Sequence, residues 1–179
     1  EGPADRADKS AEIEAPAPEE KHLTFQENQK GISFETLLGP YLKGASQITV
    51  TDPYIRLFYQ IRNFMELLEA IVKNKSQEDE IAVHLVTARD EFKGELQDDS
   101  FEKIQETARI AGIDFTWAFD DTGTIHARHI VTDHGWKISL DRGLDIFQHY
   151  EMNDAFALAN RLQQFRATKA FEVTFINQA

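Results

Sequence analysis

The stretch Glu80-Ile-Ala-Val-His-Leu-Val-Thr87 constrains the fold most, because a short, nearly continuous apolar run of this kind fills a strand inside a sheet. Helical patterns flank it. From Ile55 onward, Phe58, Ile61, Phe64, Met65, Leu68, Ile71 and Val72 cover one broad face, which is predicted to be mostly core. Downstream, Phe101, Ile104, Ala108 and Ala111 repeat the pattern, with Asp99 or Ser100 expected as the cap and Gly112 as the stop. Strand patterns lie outside the helices: the β-branched Ser46 to Thr51, ending at Asp52-Pro53, and Ile113 to Phe119, whose Ile113, Phe115, Trp117 and Phe119 share a face. Strand, helix, strand, helix, strand predicts a layered α/β fold.

The remaining pattern extends this core. His22 to Gln26 reads as a short strand, and Ser33 as the N-cap of a helix reaching Leu42, with Phe34, Leu37, Leu38 and Tyr41 on one stripe and Pro40 distorting its end. Ile130 and Thr132, a turn at Asp133-His134-Gly135, then Trp136, Ile138 and Leu140 read as a hairpin. Ala155 to Arg166 is expected to be a helix with Ala155, Leu158, Ala159, Leu162 and Phe165 inward and Phe156 on its flank; Ala170 to Ile176 closes as a strand. At 179 residues and 41% hydrophobic, one domain with a sizeable core is expected.

Residues 1–22 read differently. Three of the five prolines fall there, and large apolar side chains are nearly lacking, so we expect a disordered acidic Ala/Pro linker ahead of a domain at 23–179. The first residue is Glu1 rather than Met, from which a piece of a longer protein is expected. Residues 1–20 hold seven acids and two bases, a net −5 of the chain's −12, leaving −7 for the rest. Such a balance disfavours a generally basic surface for nucleic acid, and phosphate binding would need a local patch. There is no cysteine for a disulfide or thiolate site, no carboxylate or histidine spacing that calls for a metal, and no apolar run of bilayer-spanning length. No cofactor is expected. A cytoplasmic location is expected, with any membrane contact peripheral.

Within Thr124 to Phe147, His126, Arg128 and Asp133 form an H-x-R-x4-D spacing. In an extended segment His126 and Arg128 would share a face, and imidazole beside guanidinium suits phosphate. Asp133 lies an odd number of residues on, so a regular strand turns it away. Arg128, Lys137 and Arg142, with His126, His129 and His134, are the candidates for a cationic patch. Asp52-Pro53-Tyr54 reads as a strand-to-helix turn in which Asp52 caps the helix, whereas Arg56 needs a partner, either phosphate or Asp133. His84 reads as a hydrogen-bonded core residue rather than a ligand.

Together these stretches resemble the C-terminal phospholipase-D-like domain of eukaryotic MIT-domain (microtubule-interacting and trafficking) proteins. The likeness rests on Thr124 to Phe147 and on Ile48-Thr-Val-Thr-Asp-Pro-Tyr-Ile-Arg56 followed by a helix with Asn63-Phe64, and it spans about residues 24–178. It implies a mixed β-sheet flanked by helices, a homodimer, and contact with anionic phospholipid. Related bacterial domains, some joined to ATPase modules, make an ATPase or MIT region possible upstream. In the catalytic superfamily the motif is H-x-K-x4-D followed by Gly-Ser and Asn, with His as nucleophile, Lys holding phosphate and Asp assisting. Here Arg128 replaces the Lys, and Gly143-Leu144-Asp145 stands where Gly-Ser would be. The resemblance therefore implies a non-catalytic phosphate-binding module using Arg56, His126, Arg128, Lys137 and Arg142. The alternatives are a phosphodiesterase or nuclease using His126, Arg128 and Asp133, and a protein-interaction or oligomerisation domain of an ATPase-linked protein.

Overall fold

The computed structural model describes residues 17–179. The linker reading of the first sixteen positions lies outside the described residues. The strand expected at His22 to Gln26 is β1 (Lys21–Phe25), so Lys21 and His22, counted with the linker by composition, belong to the sheet, where they pair with Phe175 and Thr174. The other elements are α1 (Phe34–Leu42), β2 (Gln47–Thr51), α2 (Phe58–Asn74), β3 (Ile81–Thr87), α3 (Gly94–Ile110), β4 (Ile113–Phe119), β5 (His129–Thr132), β6 (Trp136–Leu140), α4 (Leu158–Arg161) and β7 (Phe171–Asn177).

The strands make one mixed sheet in the order β1-β7-β6-β5-β2-β3-β4. β2, β3 and β4 run parallel, joined by α2 and α3, while β5, β6, β7 and β1 pair antiparallel. The expected α/β class, a mixed sheet flanked by helices, is the observed one. Its period-2 pattern is strict: Ile48 and Val50, Val83 and Leu85, Ile113 and Phe115, Ile130, Ile138 and Leu140, Val173 and Phe175 are all buried. Against them pack Phe34, Leu38 and Tyr41 of α1, Phe64, Leu67 and Leu68 of α2, and Phe101 and Ile104 of α3. Phe115 stacks on Trp117, and Phe64 and Phe101 meet it from the helix layer. All three long helices thus contribute to the same side of the sheet. The opposite face, with Thr49, Thr51, His84, Val86, His129, Val131, Lys137, Ser139 and Thr174, carries no helix among the described residues.

Several expectations need correcting. β3 is an internal strand, but its burial alternates, because only one face is covered. His84 lies on the uncovered face, where its Nδ1 bonds Thr116 Oγ1 at 2.7 Å. Phe58 is 63% exposed and Met65 39%, so the α2 stripe is narrower than its hydrophobicity implies. α3 starts at Gly94, well before Asp99 and Ser100, since Gln97 is drawn inward by bonds to Ile55 and Ala88 carbonyls. The segment 155–166 forms only α4 and a 3-10 turn at Gln163–Phe165. Arg166 holds it instead: fully buried, it donates to Glu66 Oε1 at 2.7 Å and to the Ala159 and Asn160 carbonyls, and lies over the Tyr150 ring. Leu158, Leu162 and Phe165 face outward.

Phe115→Ala should cost about 3–5 kcal/mol in urea unfolding, and Phe92→Ala, whose ring is 89% exposed, under about 0.5 kcal/mol.

Candidate functional site

β2 ends at Thr51, and the next residue, Asp52, is carried to the edge of the sheet where β5 begins, because Thr51 pairs with His129. Arg128 immediately precedes β5 and meets Asp52 there. Its Nε donates to Asp52 Oδ1 at 3.1 Å and one terminal nitrogen to Oδ2 at 3.4 Å; the two side chains are 17% and 2% exposed. Asp52 also accepts from the backbone N–H of Tyr54 at 3.0 Å and of Leu144 at 3.4 Å. Burial pushes the Asp52 carboxyl above its ordinary range, and the Arg128 guanidinium and the two N–H donors oppose that rise.

This is not the helix cap expected of Asp52. α2 starts six residues later, and Gln60 Oε1 supplies the capping contacts by accepting from the Arg56 and Leu57 N–H groups. Gly143 explains why Arg142-Gly143-Leu144-Asp145 follows the hairpin. Its φ is +57°, and a Cβ there would collide with both Asp52 Oδ2 and the Arg128 guanidinium. Glycine lets the turn after β6 close over the ion pair.

Above the pair lies Tyr54. The Arg128 guanidinium is 4.8 Å from its ring centroid and that of Arg56 5.3 Å, so one exposed ring carries two cations. Arg56 Nε is buried without a hydrogen-bond partner among the described residues. Arg142, just past β6, reaches the same end of the sheet and donates through Nε to the Ala170 carbonyl at 2.6 Å.

The structure separates the remaining candidates. His126 is exposed in the segment leading to β5 and, with Ala127, Arg128 and His129, lines a shallow depression of about 380 Å³ that reaches Lys137, Ser139, Glu172 and His22. All four residues border one depression, rather than dividing between two faces, because 126–128 are not strand. Lys137 belongs to this sheet-face group and not to the Tyr54 edge. It and burial together hold the His129 imidazole below its ordinary pKa, burial contributing more. Asp133 stands at the far end of β5. It accepts from the Ser46 N–H at 3.0 Å and from the Ser46 hydroxyl, and its own N–H donates to the Gln47 carbonyl, all at the start of β2. Those donors, the Ser46 hydroxyl first, hold its carboxyl below the usual range. Four strand residues at ~3.3 Å each separate it from the Arg128 end, so Asp133 neither orients His126 nor pairs with Arg56. His134 is likewise a turn residue, bonded to Thr132 and to the Lys43 carbonyl. Asp52 and Tyr54 are not among the expected site residues: their place at the carboxyl end of a strand, where open α/β sheets put ligands, is legible in the sequence, but Asp52 reads there as a helix cap and Tyr54 as a packing residue. No group of three or more His, Cys, Asp or Glu residues suited to a metal occurs among the described residues.

A mixed sheet flanked by helices and entered at β5 by an H-x-R-x4-D segment agrees with the phospholipase-D-like class. Comparison with known families bears this out. The chain belongs to the family described as the phospholipase D-like domain at the C-terminus of MIT, whose profile matches residues 31–177. It is 32% identical over 130 residues to MIT domain-containing protein 1 of Mus musculus, a match covering 72% of this chain. The chain spans about half the length of that relative, 51%.

Removing Arg128 should leave Asp52 as an uncompensated buried charge. Arg128→Met is expected to cost about 3 kcal/mol at neutral pH, the low end for a broken buried pair because Arg128 keeps some water. Arg128 holds the Asp52 pKa down, so its loss raises the folded pKa further and the variant takes up the proton at a higher pH than the wild type. The cost should therefore shrink as pH falls from the variant's folded pKa to the wild type's, and level off below it. Urea unfolding of both proteins over a pH series measures this, and a pH-independent difference would contradict it.

Proposed function

We propose that this domain is a non-catalytic, dimeric binding module that holds phosphate groups of anionic phospholipid at the carboxyl end of β2. The observation that carries the reading is the pair of guanidiniums over Tyr54. The Asp52 carboxylate beside Arg128 is buried and already bonded, so the charge left to meet a phosphate is that of the half-buried Arg56, together with the Arg128 terminal nitrogen that has no bond to Asp52 among the described residues. Planar guanidiniums match phosphate oxygens in pairs. Arg142 reaches the same end of the sheet, whereas His126 lines the depression on the uncovered face. Lys137, on the uncovered sheet face, is assigned to a different surface.

That face supports the dimer. Parallel strands such as β2, β3 and β4 are ordinarily covered on both sides, yet here Thr49, Thr51, Ala82, Val86, Ala118, Val131 and Thr174 form an uncharged expanse, with Asp114, Lys137 and Glu172 around it, that carries no helix among the described residues. A second copy packed there in twofold fashion would leave both Tyr54 edges free to engage one membrane, raising avidity. A neutral His129, favoured by its lowered pKa, suits such burial.

No observation gives His126 the partners a phosphohistidine mechanism needs, because Asp133 is engaged elsewhere. Trapping a covalent phosphohistidine that disappears in His126→Ala would overturn the non-catalytic reading.

Co-sedimentation with vesicles of phosphatidylcholine, with and without phosphatidylserine, tests the lipid reading. The wild type should prefer the acidic vesicles, and Arg56→Ala should weaken that binding by about fivefold. Failure of the wild type to bind either vesicle would sink it. Separately, sedimentation equilibrium should show a dimer that Val131→Glu converts to monomer; an unchanged dimer would place the interface elsewhere.

A further inference from the structure

Lipid binding by so acidic a chain, −12 overall, cannot depend on long-range attraction to an anionic surface. A non-electrostatic contribution is required, and the segment between β2 and α2 is built to supply one. Leu57 and Phe58 are 36% and 63% exposed, with Tyr54 and Tyr59 also exposed beside them. From Pro53 to Met65 the sequence holds Arg56 and Arg62 and no acid, in a chain with 31 acids among 179 residues. Asp52, just before it, is buried and paired. Aliphatic, aromatic and guanidinium groups therefore share one exposed stretch with no free carboxylate of its own, the composition that suits a bilayer interface.

The backbone beneath is pinned. Ile55 is buried, its N–H donates to Thr87 Oγ1 at 3.2 Å, and its carbonyl accepts from Gln97 Nε2 at 2.9 Å. Gln60 fixes the N–H groups of Arg56 and Leu57. Such a tip meets a surface with little ordering cost. Phe92 is more exposed still, but it stands among Asp90, Glu91 and Glu95, whose charge disfavours its own contact with an anionic surface.

We propose that Leu57 and Phe58 insert into the apolar margin of an anionic bilayer while Arg56 holds a lipid phosphate next to them. The proposal rests on the lipid reading above and adds insertion to it. Both side chains are exposed, so Leu57→Ser with Phe58→Ser should leave the fold intact, as circular dichroism would verify. The double variant should bind phosphatidylcholine–phosphatidylserine vesicles about 10- to 100-fold more weakly than the wild type. In addition, Phe58→Trp should gain fluorescence quenching by acyl-brominated lipid beyond that of the wild type, whose Trp117 and Trp136 pack in or against the core. Wild-type affinity in the double variant, or no added quenching in Phe58→Trp, would overturn insertion while leaving phosphate binding standing. No vesicle binding by the wild type would overturn both. A wild-type dimer abolished by the double variant would make the patch a protein interface and overturn insertion as well.

Discussion

The buried ion pair between Asp52 and Arg128 ties together three parts of the chain far apart in sequence. Asp52 leaves β2, Arg128 enters β5, and Gly143-Leu144 closes the turn after β6, and each contributes a contact to the same carboxylate. A carboxylate this enclosed is tolerable only with a cation and N–H donors on its oxygens. The pair therefore anchors the end of the sheet on which Tyr54 and Arg56 are displayed, where the ladder of β2 with β5 stops.

This arrangement changes the meaning of the H-x-R-x4-D segment. By spacing, it is one unit of phosphate chemistry. In the fold its three residues serve three places: His126 is exposed in the approach to β5, Arg128 neutralises a carboxylate, and Asp133 pins the start of β2 through Ser46. The cation not neutralised by Asp52 is Arg56, which the segment between β2 and α2 supplies. On the function proposed above, phosphate would be met by a guanidinium on a tyrosine ring rather than by the histidine, which suits holding phosphate instead of transferring it.

Much of the fold was legible in the chain. The alternation at Ile113–Phe119, the turn at Asp133-His134-Gly135 and the Ser33 cap all emerge in place, because each is decided by local chemistry: side-chain period, glycine conformation, a hydroxyl accepting an N–H. The misses share a cause in tertiary competition. Ala155 to Arg166 has a helical apolar period, but burying Arg166 against Glu66 and Tyr150 stabilises an irregular path that turns Leu158 and Phe165 outward. Gln97 extends α3 towards its N-terminus by bonding carbonyls from two other segments. The site was half legible. Residue types flagged Arg56 and Arg128, but that Asp52 would neutralise Arg128 depends on the register Thr51 to His129, which no single segment encodes.

The most direct measurement is the side-chain Nε–H resonances of Arg56 and Arg128, followed by NMR during titration with short-chain phosphatidylserine. The Arg56 signal, from a buried nitrogen with no hydrogen-bond partner among the described residues, should shift, while the Arg128 Nε–H stays bonded to Asp52 and nearly still. Shifts confined to His129 and Lys137 on the open sheet face, with Arg56 unmoved, would contradict the account.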